Sequence, residues 1–124
     1  MTQVYIDTQY PKNLAEALIL LQQMQYPKEF EIIRTNNFEN ARPSDVVFLF
    51  DRTLKGLDLI TEKHFEDGYR VFAFKSRLVP KVDVYQLSLS VLSLWPKILT
   101  TIQAENNPFI VTYKYTGSTL KKVR

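Results

Sequence analysis

Two aspartates in this chain each close an apolar run. Asp7 follows Gln3-Val4-Tyr5-Ile6, and Asp51 follows Val46-Val47-Phe48-Leu49-Phe50. A carboxylate at the end of a buried strand sits where open parallel sheets bind their ligands. Two such groups on neighbouring strands repel each other, and a hard divalent cation with oxygen ligands, Mg²⁺ or Mn²⁺, relieves the repulsion. Water on such a cation can attack a phosphodiester while nearby bases neutralise the phosphates. Bases are at hand: Lys12, Arg52 and Lys75 fall at or just beyond the same strand ends, with Arg34, Lys55 and Arg77 nearby. An aspartate after a strand is also a common turn former or helix cap. The pair with its interleaved bases carries the metal reading; neither aspartate carries it alone.

Other chemistries are excluded by scarcity. The 124 residues contain no cysteine, one histidine (His64) and three glycines. Thiolate zinc sites, disulfide scaffolds, multi-histidine centres and glycine-rich phosphate loops therefore drop out. His64 lies on the apolar side of its helix and reads as structural. The net charge of +3 resides beyond residue 104, where Lys114, Lys121, Lys122 and Arg124 face one acid, Glu105. The rest of the chain is neutral. No basic-then-apolar leader and no run of about 18 apolar residues is present, so a cytoplasmic protein with no membrane association is expected.

The elements that must position these residues are legible from periodicity. Strands are predicted over 3–6, 29–34, 46–50, 69–74 and 109–115. Helices are predicted over 11–25, 57–67 and 83–105, the last kinked by Pro96. The continuous apolar run 46–50 implies burial on both faces. Tyr113 and Tyr115 with the terminal lysines read as a protected edge strand, not a stacking surface for bases. The order β-α-β-β-α-β-α-β predicts a single domain over 1–124, of class α/β: a three-layer α/β/α sandwich with a mostly parallel central sheet. Only about ten residues, 35–44, link the second strand to the third, and no amphipathic helix is legible in them.

Three stretches carry a resemblance. VYIDTQYPKNLAEALILLQ resembles the start of compact PIN-like domain nucleases. VVFLFDRTLKGLDLITEKHFEDGYRVFAF is similar to their later strand–Asp–Arg–helix–strand unit. LSLWPKILTTIQ is similar to a tryptophan–proline helix in the branch associated with bacterial toxin–antitoxin pairs. The resemblance implies a metal-dependent ribonuclease, with Asp7 and Asp51 as catalytic residues and ligands of Mg²⁺ or Mn²⁺. It implies RNA as substrate, its phosphates met by Lys12, Arg52 and Lys75, and a cognate antitoxin as partner. A homodimer is a further expectation.

The family's additional acid, carried on a helix between the second and third strands, has no counterpart in the 35–44 segment. Glu39 and Asp58 are the candidates for it. Asp58 also reads as a helix N-cap. Asp45 opens the strand that Asp51 closes, about 20 Å away at ~3.3 Å per residue, and is set aside. With two acids alone, the alternative is a catalytically degraded PIN-like fold acting as an RNA- or protein-binding module. A receiver-like domain is a weaker third reading.

Overall fold

A computed structural model describes residues 2–25, 30–51, 56–75, 84–114 and 119–124. The elements are β1 (Thr2–Asp7), α1 (Lys12–Gln25), β2 (Phe30–Thr35), β3 (Val46–Asp51), α2 (Leu59–Glu66), β4 (Arg70–Lys75), α3 (Val84–Ala104), β5 (Phe109–Tyr113) and β6 (Lys121–Lys122). Every predicted element is present within a residue or two, and β6 is an addition. The α/β class with a mostly parallel sheet holds. The sheet order is β2-β1-β3-β4-β5-β6, with β6 alone antiparallel to its neighbour. Among the described residues no helix is long and apolar enough to cross a membrane.

Strand alternation divides the interior in two. Even-numbered side chains of β1 to β4 (Val4, Ile6, Ile32, Val46, Phe48, Phe72, Phe74) join α1 and α3 in one apolar cluster. Odd-numbered ones (Tyr5, Val47, Leu49, Val71, Ala73) form a second cluster with Leu57, Phe65 and Tyr69 around α2, and with Phe38 and Ala41. The predicted helix-free link between β2 and β3 thus crosses the sheet on the α2 face. It closes on a tight approach: Gly68, at φ +97°, would place a Cβ 3.3 Å from the Pro43 ring.

The handedness of the crossovers is unusual. The β3–α2–β4 and β4–α3–β5 connections step the same way along the sheet but lie on opposite faces. They are therefore of opposite hand. The β1–α1–β2 connection steps the other way on the face of α3, so it too is opposite in hand to β4–α3–β5. Parallel crossovers share one hand in about 98% of cases, and here α3 is the exception. Its 21 residues run through Pro96 as one helix, beside α1 on a single face.

One buried cation ties the far edge together. Arg70, 3% exposed, donates from Nε to the Ser44 carbonyl (2.7 Å) and from Nη1 to the Ile102 and Glu105 carbonyls (2.8 and 2.9 Å). Those last two are carbonyls at the end of α3, which the helix itself leaves unpaired. Burial lowers the Arg70 pKa, and Asp45 and Glu105 oppose that shift. Arg70→Met keeps the stem and removes every donor. It should destabilise the fold by roughly 3 kcal/mol, since buried carbonyls are left without partners. Urea unfolding that shows no change would mean that the carbonyls find water instead.

Candidate functional site

Parallel pairing delivers the ends of β1, β3 and β4 to one edge, and the order β2-β1-β3-β4-β5 places a topological switch between β1 and β3. That is where doubly wound sheets open a crevice. Asp7, Asp51 and Lys75 all lie at this edge. All three are odd-numbered, so they share the face that carries α2. Lys75 is the register partner of Asp51. Asp7 and Asp51 are on adjacent strands but not level. Register from Ile6↔Phe48 puts Asp7 beside Leu49, two residues short of Asp51. Strand rise and spacing then separate their Cα atoms by roughly 8 Å.

Each aspartate has backbone to hold. Asp7 Oδ1 accepts from the Gln9 N–H at 3.0 Å, an Asx turn, and its Oδ2 accepts from Gln9 Nε2 at 3.4 Å. The turn leads the chain through Tyr10 into α1. Asp51 is wholly buried, and its Oδ2 accepts from the Asp58 N–H at 3.2 Å. Asp58 in turn caps α2, its Oδ1 accepting from the Ile60 N–H at 2.9 Å. Asp51 therefore anchors the residue that starts α2. The cap reading of Asp58 holds.

The other expected site residues are dispersed. Glu39 is exposed on the β2–β3 link, its N–H held by Asn37 Oδ1. Two residues on, the link is pinned by Tyr69, whose hydroxyl donates to the Ala41 carbonyl. Lys12 is exposed and lies 3.8 Å from Glu16 on its own helix. Lys75 Nζ donates to the Gly56 carbonyl at 2.9 Å. Arg34 spans to the Thr8 and Tyr10 carbonyls. Arg52, with Lys55 and Arg77, lies outside the described residues, as does Tyr115. Among the described residues, no three Asp, Glu or His side chains group as metal ligands. His64 is structural as read: Nδ1 is 2.7 Å from the Ile60 carbonyl oxygen, and the ring stands edge-on to Phe38.

One feature escaped the sequence reading. Tyr113 is not on a protected edge. It is buried and hydrogen-bonded hydroxyl to hydroxyl with Tyr10, whose OH reaches the Leu49 carbonyl at 3.0 Å. Burial raises the pKa of both phenols, and for Tyr10 the charge of Tyr113 adds to the shift. β6 explains the difference: by pairing with β5 it removes β5 from the edge.

No family model, curated protein or solved structure matches the chain.

Two outcomes follow from this geometry. Asp51→Ala leaves the half-buried Asp58 N–H without this acceptor, so stability should drop by about 1 kcal/mol; a melting temperature at or above wild type would show that charge repulsion outweighs the anchor. The tyrosines fix the alkaline limit. Their folded pKa values lie above the unfolded value near 10, so the unfolded chain releases protons first as pH rises. Stability is intact below about pH 10 and should then fall by about 1.4 kcal/mol per pH unit for each tyrosine. Urea midpoints across that range should decline less steeply in Tyr113→Phe, and equal slopes would refute the assignment.

Proposed function

We propose that the chain is a PIN-like domain of three-layer α/β/α form whose carboxyl edge binds RNA without cleaving it. The observation that carries this reading is the state of Asp51: wholly buried, with an oxygen committed to the Asp58 backbone. As it stands, the donor set does not fit a carboxylate centre for Mg²⁺ or Mn²⁺. Asp58 serves its helix, Glu39 is held on a separate loop, and Asp7 is the one strand-end acid with solvent access. Basic charge supports an RNA partner over a neutral one. Lys12, Lys75 and Lys114 belong to the described residues, and the connections that follow β3 and β4 add Arg52, Lys55, Arg77 and Lys81 in the sequence.

A second reading, the metal-dependent ribonuclease of toxin type with an antitoxin partner, is favoured by one observation. Asp7, Asp51 and Lys75 share a face at the switch point. It requires Asp51 to exchange the Asp58 N–H for a cation.

RNA titration by fluorescence anisotropy, with Mn²⁺ and with EDTA, separates the two. The binding module should hold RNA equally in both, lose affinity as salt rises, and weaken in Lys12→Ala and Arg52→Ala by removal of phosphate contacts. Cleavage that requires Mn²⁺ and vanishes in Asp7→Asn would overturn it in favour of the nuclease. Absence of RNA binding at low salt would overturn both.

A further inference from the structure

We infer that a cavity at the amino ends of β1, β2 and β3 is a binding site for a free basic α-amino acid, lysine or arginine in kind. The cavity measures about 460 Å³, a size usual for small-molecule sites. Its place follows from how the α2 face is covered. The helix α2 lies against β4 and β5, so the β1–β2 half of that face is left to the link between β2 and β3. Gln3 and Tyr5 of β1, with Glu31 and Ile33 of β2, make the floor. Arg42 and Asp45, on the stretch that leads into β3, stand at its side.

Register places three polar groups in one row. Gln3 is level with Glu31, and the pairing Val4↔Val46 puts Asp45 beside Gln3 on the other side. With one strand spacing between each pair, the Cα atoms of Glu31 and Asp45 stand about 10 Å apart. The wall beside the row is fixed by main chain. Asp45 Oδ2 accepts from the Arg42 N–H at 2.8 Å, the Ser44 N–H donates to the Gly68 carbonyl at 2.9 Å, and the Tyr5 hydroxyl reaches the Asn40 carbonyl at 3.4 Å. The charges within this frame are unspent. Glu31, Arg42 and Asp45 form no ion pair with one another or with any other described residue. Gln3 Nε2 donates to Glu31 Oε2 at 2.9 Å, which leaves Gln3 Oε1 buried and without a donor among the described residues. A buried acceptor in that state is costly and rare. The Tyr5 phenol registers the same convergence: burial raises its pKa most, Asp45 and Glu31 raise it further, and Arg42 opposes them.

Charge selects the ligand. Two carboxylates against one guanidinium give the cavity a charge of −1. A phosphate would meet like charge there, so the cavity does not extend the RNA surface. Its complement is a molecule with two cationic groups and one carboxylate, which is the set a free basic amino acid carries. The α-carboxylate pairs with the planar fork of Arg42, and the α-ammonium with the neighbouring Asp45. The side-chain cation meets Glu31 at the far end of the row, its stem lying against Ile33. There it takes the place of the Gln3 amide N–H. Gln3, turned off Glu31, then offers Oε1 to the same cation, and the acceptor gains the donor it lacks in the free protein. The cavity lies at the amino end of β3 and Asp51 at the carboxyl end, so amino-acid binding and RNA binding succeed or fail separately.

Isothermal titration calorimetry of the full chain at low salt, with millimolar L-lysine or L-arginine, should show one saturable site per chain. Norleucine lacks the side-chain cation and cadaverine lacks the carboxylate; each should bind about tenfold more weakly than L-lysine. Glu31→Gln should lower L-lysine affinity to that of norleucine, and Arg42→Met to that of cadaverine, because each removes the protein half of the matching pair. Both side chains are exposed, so the variants should melt near the wild-type temperature. Glu66→Gln, on α2, should bind L-lysine as the wild type does. No saturable heat with either amino acid overturns the proposal. So does binding that Glu31→Gln and Arg42→Met leave unchanged, or that norleucine and cadaverine match.

Discussion

Burial of β3 on both faces is the constraint from which the rest follows. Val46 to Leu49 are at most 1% exposed, with Val46 and Phe48 turned to α1 and α3, and Val47 and Leu49 to α2. A strand covered on both faces has no tolerance for register slip, because one residue of shift would exchange the two clusters. Its neighbours β1 and β4 are fixed by the same ladder. The polar groups at its ends must then be satisfied internally, and the protein meets that need with backbone. Asp51 takes an amide at one end. At the other, Arg70, level with Val46, collects three carbonyls. Beneath the carboxyl edge, Tyr10 closes on the Leu49 carbonyl and on Tyr113. These groups would be costly if left unpaired, and each is matched to main chain.

The hand of the α3 crossover decides how the two faces differ. Had α3 crossed on the α2 side, α1 alone would cover the other face and the β4–β5 half of it would lie bare. Placed beside α1, the longest helix seals that half, and Trp95 reaches Phe48 at 5.8 Å between ring centroids. The α2 face keeps an eight-residue helix and a loop. Arg124 braces that helix from the C-terminal strand, bridging Glu62 at 3.2 Å and lying over the Phe65 ring. One face is consequently broad, helical and nearly uncharged, and the other narrower and polar at its carboxyl end.

Much of this was legible in the sequence. The apolar periodicities of 11–25, 46–50 and 83–105 gave their elements to within a residue or two, because each run is long and its period unambiguous. The helix-free link at 35–44 was legible as well. What stayed hidden depends on partners distant in the chain. Periodicity says which side of α3 is buried, but not against which face of the sheet. Two lysines without an apolar pattern do not announce β6, which is made by pairing with Val111 and Thr112. Without β6, Tyr113 reads as an edge residue when it is core. Arg70 opens a strand and looks like a solvated terminus, since nothing local reveals the carbonyls of Ile102 and Glu105 converging on it. The positions of Asp7 and Asp51 were readable from their strands, but their hydrogen bonds were not.

That last gap bears on how the aspartate pair is understood. Two carboxylates at adjacent strand ends invite the argument that only a cation would justify keeping them. The geometry removes its premise. The two are staggered by two residues, Lys75 is level with Asp51, and each carboxylate accepts a backbone N–H at the turn that launches the next segment: Gln9 before α1, Asp58 before α2. Each carboxylate is thus held by main chain at the start of the segment it launches. An aspartate in either position therefore has a folding reason to persist whether or not the edge ever held metal. Its presence records how a parallel strand hands the chain to a helix, and the chemistry of the edge has to be read from groups that are free to meet a ligand.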